Sequence, residues 1–180
     1  GSNSLAANTE ASNNTGVGYN ALTANTGADG RNNTSVGSQS MDANTTGKNN
    51  VAVGHDALGA NTTADNNTAI GKDALLANTT GQENVAIGAN AGDANTTGDN
   101  NVFVGRDAGT SNTTAGNNTF VGERAGESNT TGDESVAIGQ FAYSANTTGV
   151  DNVAIGRSAL AANTTANNNV AVGRAAMLSN

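Results

Sequence analysis

A Val-Gly or Ile-Gly pair recurs at a nearly constant interval along this chain, and no other feature restricts its fold as strongly. The glycines of these pairs are spaced i to i+17 from Gly37 to Gly173, and Gly1 and Gly18 have the same spacing. Only the segment 18–36 is longer, by two residues. A fixed period of this length is typical of stacked repeats, in which each repeat packs only on its neighbours.

We number each repeat 1 to 17 from its glycine, which divides residues 1–180 into ten coils and a partial eleventh. Position 8 is Asn in every coil from Asn8 to Asn180, position 14 is Asn except at Ser135, and position 17 is always Val or Ile. Positions 2, 3, 6 and 12 vary freely, so we expect them to face solvent, and we expect a ligand to be met at positions 2, 3, 6, 12 and 13. The chain is interpreted as one solenoid domain, a fragment of a longer fibrous protein.

Positions 15 to 17 predict a short β-strand in each coil. Their alternation of β-branched and small residues, as in Val85-Ala86-Ile87, has the two-residue period of a strand. The following glycine permits a turn, whereas the abundant Gly, Asn and Thr disfavour a helix. Disorder is disfavoured because the β-branched residues keep a strict register. We therefore predict an all-β, parallel β-solenoid whose core strand points position 17 inward. The predicted core residues are Val53, Ile70, Ile87, Val104, Val121, Ile138, Ile155 and Val172.

The invariant Asn at position 8 predicts a ladder of side-chain amides. Stacked coils place equivalent residues about 4.8 Å apart, which is the spacing at which Asn side chains bond to one another along a stack. The predicted ladder residues are Asn44, Asn61, Asn78, Asn95, Asn112, Asn129, Asn146 and Asn163.

Position 16 is the predicted contact between subunits. A strand position that faces solvent normally varies and carries charge, but this one is small or apolar throughout. Position 5 loses its side chain at Gly92, Gly109 and Gly126, close to the two phenylalanines of position 16, which suggests compensation across a subunit boundary. The predicted oligomer face consists of Ala52, Ala69, Ala86, Phe103, Phe120, Ala137, Ala154 and Ala171.

Composition argues against several classes of partner. The chain has seven Lys or Arg against 15 Asp or Glu, a net charge of −8, so phosphate backbones and anionic membrane surfaces are unexpected partners. It has no Cys, which excludes disulfides and thiolate metal sites. No apolar run of about 18 residues is present, so we expect no membrane insertion in this segment. The expected partner is the chain itself, together with a host, matrix or glycan surface.

No cluster of residues predicts catalysis, a cofactor or a metal. His55 is the only histidine, and one imidazole makes neither a triad nor a zinc site. Asp56, Asp73 and Asp107 share position 3, but Ca²⁺ requires six or more converging oxygens, so a solvated surface is the simpler interpretation. We therefore expect a non-enzymatic protein.

Two further patterns carry chemistry of their own. The Asn-Thr-Thr triplets, such as Asn44-Thr45-Thr46, and four Asn-Asn-Thr triplets are N-glycosylation sequons, although turn and ladder roles also explain them. Regular Thr at positions 9 and 10 raises the alternative of an ice-binding solenoid. Adjacent strand residues face opposite ways, however, so the two Thr ranks need not share a face.

The strand motif resembles a known family. Asn84-Val-Ala-Ile-Gly88, which recurs as Asn152-Val-Ala-Ile-Gly156, is similar to the head repeats of YadA-like trimeric autotransporter adhesins. That resemblance implies a left-handed parallel β-roll, a homotrimer and a position on the bacterial surface. The Asn-Thr-Thr-Gly stretch resembles repeat tracts of phage tail-fibre-like proteins, and it makes each coil longer than the typical repeat of the adhesin family.

Taken together, these patterns predict a structural or adhesive fibre at the cell surface, outside the cell or on a virion. Two alternatives stay open at this point. One is an extracellular filament subunit that stacks end to end through exposed coil ends, and the other is the ice-binding solenoid.

Overall fold

The computed structural model describes residues 1–178 as a parallel β-solenoid with one three-residue strand in each coil. Ten strands form one parallel sheet in sequence order, and nine pairings join them, so nine complete coils lie between the first strand and the last. No helix lies in residues 1–178, and hence none that is long and apolar enough to cross a bilayer. The strands are β1 (Thr15–Val17), β2 (Thr34–Val36), β3 (Val51–Val53), β4 (Thr68–Ile70), β5 (Val85–Ile87), β6 (Val102–Val104), β7 (Thr119–Val121), β8 (Val136–Ile138), β9 (Val153–Ile155) and β10 (Val170–Val172).

The register of the stack follows the repeat. Equivalent positions pair from coil to coil, as Val85 does with Val102, and only the β1–β2 pairing has a longer offset in sequence, between Thr15 and Thr34. The extra residues of segment 18–36 are therefore absorbed outside the strand. The last position-8 asparagine of the sequence, Asn180, lies outside the described residues.

Hydrogen bonds between coils extend well beyond the strands. The N–H of Leu75 donates to the carbonyl of Ala91 at 3.0 Å, and the N–H of Thr79 donates to that of Thr96 at 3.0 Å. In the opposite direction, the N–H of Asp73 donates to the carbonyl of His55 at 3.0 Å. Much of the coil perimeter is thus bonded along the solenoid axis, which satisfies backbone groups that three-residue strands alone would leave free.

Three positions of every coil hold the left-handed backbone conformation. Residues at positions 3, 5 and 13 have φ between 46° and 61°, for example Asp73 (57°), Leu75 (50°) and Glu83 (58°). Asn and Asp adopt this conformation most readily, and they dominate positions 3 and 13. Position 5 is Leu, Met or Tyr in eight of the eleven coils, so most coils hold a bulky side chain in a backbone state that costs free energy. Burial of that side chain offsets the cost.

The core lies between positions 4 and 5 on one side of the coil and position 16 on the other. Ala74, Leu75 and Ala86 are all 0% exposed, whereas Ile87 is 40% exposed. The strand alternates as predicted, but the predicted phase is wrong, because position 16 points inward and positions 15 and 17 point outward.

Two sets of predicted residues are corrected by this orientation of the strand. The residues predicted as core are partly or fully exposed: Val53, Ile70, Ile87, Val104, Val121, Ile138, Ile155 and Val172. The residues predicted as the oligomer face are buried within the chain: Ala52, Ala69, Ala86, Phe103, Phe120, Ala137, Ala154 and Ala171.

The narrow interior of the coil explains why position 16 points inward and positions 15 and 17 point outward. Where position 5 is Leu, its side chain fills the space and leaves room only for a small residue at position 16. Phe103 and Phe120 fit inside because the facing position 5 is glycine: a Cβ added at Gly109 would lie 2.5 Å from the Phe103 ring. The compensation therefore lies inside one chain, and the predicted compensation across a subunit boundary is wrong. The two rings lie 5.7 Å apart, which extends the core as an aromatic pair.

Position 1 requires glycine for two reasons, as the predicted turn implies. From Gly18 to Gly173 its φ lies between 123° and 143°, a region that L side chains rarely adopt. The coils also approach each other closely there, since a Cβ on Gly88 would lie 2.5 Å from the carbonyl oxygen of Gly105.

The residue type at position 12 alternates between neighbouring coils, so its period is two coils instead of one. Asp99 accepts a hydrogen bond from the backbone N–H of Gln82 in the preceding coil at 2.6 Å, and Asp133 accepts one from Gly116 at 2.7 Å. From the coil of Lys48 to the coil of Asn167, coils that carry such an acceptor alternate with coils that do not, which gives a repeat of two coils at this corner. The acceptors are Asp65, Asp99, Asp133 and Asn167, and the donors are the N–H groups of Lys48, Gln82, Gly116 and Val150.

Candidate functional site

One face of the sheet is apolar and partly open to solvent. It is formed by the outward side chains at positions 15 and 17 of neighbouring strands, which we call the outer sheet face. Position 17 is the more exposed of the two, since Ile70, Ile87, Ile138 and Ile155 are 37–40% exposed. From β3 to β9 the face consists of Val51, Val53, Thr68, Ile70, Val85, Ile87, Val102, Val104, Thr119, Val121, Val136, Ile138, Val153 and Ile155.

The outer sheet face is regular and uncharged. Every residue on it is Val, Ile or Thr, and the parallel register stacks positions 15 and 17 of successive coils directly over one another, about 4.8 Å apart. Monomeric soluble proteins rarely expose continuous apolar patches of this kind, and such patches mark interaction sites. The face is suited to packing against another flat apolar surface with the same rung spacing.

The predicted Asn ladder at position 8 is confirmed. The Asn61 amide donates to Asn44 Oδ1 at 2.8 Å, and the Asn95 amide donates to Asn78 Oδ1 at 3.0 Å. Each of these side chains also donates to the carbonyl at position 11 of its own coil, as Asn95 does to Gly98 at 3.0 Å. The ladder residues are fully buried, so their amides hold the stack together and are not available to a ligand.

A second ladder, at position 14, was not predicted. Asn84 Oδ1 accepts from the backbone N–H of Asn101 at 2.9 Å, while its amide donates to the carbonyl of Gly98 in the next coil at 2.8 Å. Most position-11 carbonyls thereby accept from both ladders at once, as Gly98 does from Asn95 and Asn84. The near invariance of position 14 was the available signal, but nothing in that pattern indicated that its bonds run to the backbone.

Ser135 interrupts the second ladder, and Tyr143 takes over the missing bond. An Asn at 135 would donate to the carbonyl of Gly149, and in its place the Tyr143 hydroxyl donates to that oxygen at 2.8 Å. The Asn152 amide donates to the Tyr143 hydroxyl at 2.6 Å, and Ser135 Oγ accepts from the Asn152 N–H at 3.2 Å. Burial of this phenol raises its pKa, so it stays protonated. Two departures from the repeat thus compensate each other.

We expect strong coupling between these two positions. Tyr143→Leu alone should remove one partner of the Gly149 carbonyl and cost about 1–3 kcal/mol, and Ser135→Asn alone should bring a second amide against the Tyr143 hydroxyl. The double variant restores the ordinary residues of both positions and should recover most of the loss. Chemical unfolding of all four proteins measures the coupling energy, and additive losses would contradict the exchange of roles.

Positions 2, 3 and 6 form a polar strip, which we call the variable surface. Lys72 pairs with Asp73 on this strip, and Arg106 pairs with Glu123 in the next coil. Arg124 pairs with Glu127 at 2.6 Å. Surface pairs of this kind contribute little to stability, so the strip tolerates sequence change.

The histidine and two of the aspartates noted in the sequence meet on this strip. One ligand atom from each of His55, Asp56 and Asp73 lies within 4.8 Å of the others. His55 Nδ1 is 2.9 Å from Asp56 Oδ2, and Lys72 pairs with Asp73, so these groups already have partners within the chain. Burial, with the nearby Asp56 carboxylate, raises the pKa of Asp42 beside them. We read the cluster as a paired surface network.

The threonine ranks and the sequons each divide into a bonded set and an exposed set. Hydroxyls at position 9 donate to the carbonyl of the next coil, as Thr96 does to Thr113 at 2.9 Å, whereas Thr97 at position 10 is exposed. Sequon asparagines at position 8, such as Asn44, are buried, whereas those at position 13, such as Asn117, are exposed. The position-9 hydroxyls already donate to the backbone of the next coil. They are therefore not free to form an ice-binding array together with the threonines of position 10.

Two surfaces remain for recognition: the apolar outer sheet face and the polar variable surface. They differ in chemistry and are built from different positions of the coil, so each can be altered by substitution without changing the other. In comparisons with known proteins, no protein-family model, no curated protein and no solved structure matches the chain.

Proposed function

We propose that this chain is the repetitive rod of a structural or adhesive surface fibre, in which parallel copies pack through the outer sheet face as a homotrimer. The fibre would act outside the cell, at a cell surface or on a virion. Its mechanism is mechanical and adhesive: a constant scaffold holds variable side chains in fixed rows.

The observation that carries this proposal is the exposure of Val and Ile on the outer sheet face. Apolar area removed from water contributes about 25 cal/mol per Å². The interior of one chain is narrow and filled largely by alanine, so covering this face adds apolar burial that a single chain lacks. The proposed contact therefore uses positions 15 and 17 instead of position 16.

The rung spacing favours copies of the same chain as the occupant of this face. Parallel copies in register would present identical side chains at every rung, which gives a closed cyclic assembly with equivalent contacts. The choice of three copies comes from the resemblance to trimeric autotransporter heads, as does the adhesive role.

The variable surface provides for ligand contact in this proposal. Its residues change from coil to coil, whereas the ladders and glycines that hold the stack lie at other positions. A host, matrix or glycan surface could thus be recognised by substitutions that leave the scaffold unchanged.

The test is solution mass by light scattering for the natural chain and for Ile87→Lys with Ile138→Lys. We expect three times the 17.6 kDa chain mass for the natural protein and one chain mass for the double variant, because a buried lysine without a partner is strongly disfavoured. The matched control is Thr80→Lys with Thr131→Lys, which adds the same charge to exposed residues of the same two coils and should remain trimeric.

Circular dichroism must show β structure in every variant for the masses to be compared. A natural chain that stays monomeric at all concentrations would refute the proposal. Open-ended polymers would favour the end-to-end filament instead.

A further inference from the structure

Charge changes sign along the solenoid. Residues 1–139 carry five Lys or Arg and 14 Asp or Glu, a net charge of −9, whereas residues 140–180 carry two Arg and one Asp, a net charge of +1. That single acid, Asp151, is at position 13 and so lies off the variable surface. From residue 140 onward, positions 2, 3 and 6 contain no acid at all.

The two arginines of this region differ from the other cations of the chain. The remaining five Lys and Arg each form an ion pair with an acid, as Arg106 does with Asp107 and Glu123. Arg157 and Arg174 form none with any residue of 1–178. Within residues 1–178, a chain with so few cations thus leaves two of them without a counter-charge.

The stack also places these two arginines side by side. Both occupy position 2 of consecutive coils, so their backbones lie about 4.8 Å apart. They line one shallow pocket together with Ser158, Ala175 and Leu178. Like charges held at this spacing repel each other, and the repulsion is relieved when an anion lies between them.

We propose that Arg157 and Arg174 form a binding site for a tetrahedral oxyanion, either a free sulfate or phosphate ion or a sulfate or phosphate ester on a larger molecule. Each guanidinium presents a planar fork of N–H donors that matches two oxygens of such a group. The Ser158 hydroxyl supplies a further donor at the pocket wall, and Leu178 and Ala175 provide apolar sides for the carrier of the ester.

This site belongs to the variable surface of the proposed function, but it needs only one chain. A monomeric protein would refute the proposed trimer and leave the oxyanion site intact. The two proposals therefore fail in different measurements.

The experiment is NMR titration of the arginine Nε–H signals at constant ionic strength. The probes are sodium sulfate, sodium phosphate, glucose 6-sulfate and unmodified glucose. We expect saturable shifts of the Arg157 and Arg174 signals with the three anions, at a dissociation constant on the order of 1 mM, and none with glucose. Tighter binding of glucose 6-sulfate than of sulfate would identify an ester as the preferred source, and equal binding would identify the free ion.

Arg157→Gln and Arg174→Gln should each weaken anion binding about tenfold, because each removes charge-assisted hydrogen bonds. Arg106→Gln is the matched control, since it removes an arginine from the same coil position where acids already pair with it, and it should leave the affinity unchanged. All three arginines are exposed, so the fold should tolerate these changes. Equal, non-saturating shifts in the natural protein and in Arg157→Gln would overturn the proposal.

Discussion

Replacing Gly88 with Ala should lower the free energy of unfolding by about 3–5 kcal/mol, one of the largest losses expected from a single methyl group in this chain. The backbone at Gly88 has φ of 137°, a region essentially restricted to glycine. The added Cβ would also lie 2.5 Å from the carbonyl oxygen of Gly105, and that oxygen belongs to the next coil and cannot move independently. Strain and collision therefore act together.

The defect should also divide the solenoid. Because each coil is stabilised by its two neighbours, a misfit at one junction weakens the coupling between the coils on either side. Thermal unfolding followed by circular dichroism should become broader or split into two transitions. Gly59→Ala is the control, since position 6 is naturally Ala at Ala161 and the nearest atom to the new Cβ is a flexible Leu76 methyl at 3.2 Å. Equal stability of the Gly88 and Gly59 variants would contradict this account of position 1.

Phe103→Ala should cost about 3–5 kcal/mol, the loss typical of removing a buried aromatic ring. Phe103 is 0% exposed and fills the space that Leu occupies in other coils. Its removal leaves a cavity between Gly92 and Gly109, neither of which can fill it, and it also breaks the ring contact with Phe120.

The same defect should be repairable from the other side of the coil. Adding Gly92→Leu and Gly109→Leu to Phe103→Ala recreates the ordinary pairing of Ala at position 16 with Leu at position 5. Denaturant unfolding should show recovery of most of the lost stability, whereas Gly109→Leu alone should destabilise by overpacking against the ring. If the triple variant were no more stable than Phe103→Ala, then the proposed exchange of volume inside one chain would be wrong.

The period, the strand position and the turn glycine could be predicted because each rests on local chemistry repeated ten times. The phase of the strand could not be derived from alternation alone, since three residues fit equally well with either face inward. Placing the larger side chains of position 17 inside was reasonable for an ordinary sheet, but the Leu at position 5 leaves no room for them. Phe103 and Phe120 occur where position 5 is glycine. This coincidence indicated that positions 5 and 16 share one volume inside the chain, and hence that position 16 points inward.

The bonding of the second ladder lay beyond sequence reasoning for a different reason. The side chains at position 14 bond to backbone groups of the next coil. The location of those groups depends on the three left-handed residues in each coil. A Leu such as Leu75 at φ of 50° contradicts ordinary residue preferences, so the path of the turn could not be anticipated. The exchange between Ser135 and Tyr143 depends on that path as well.

The alternation at position 12 limits how the length of this molecule can change. Deleting a coil that lacks an acceptor, such as the one with Gln82, would bring Asp65 and Asp99 onto adjacent rungs, where their charges repel. Deleting a coil with an acceptor would instead leave the N–H of Lys48 or its counterpart without a side-chain partner. Gain or loss of coils in pairs avoids both faults, so variants that change the number of coils within residues 37–172 should differ by even numbers of coils.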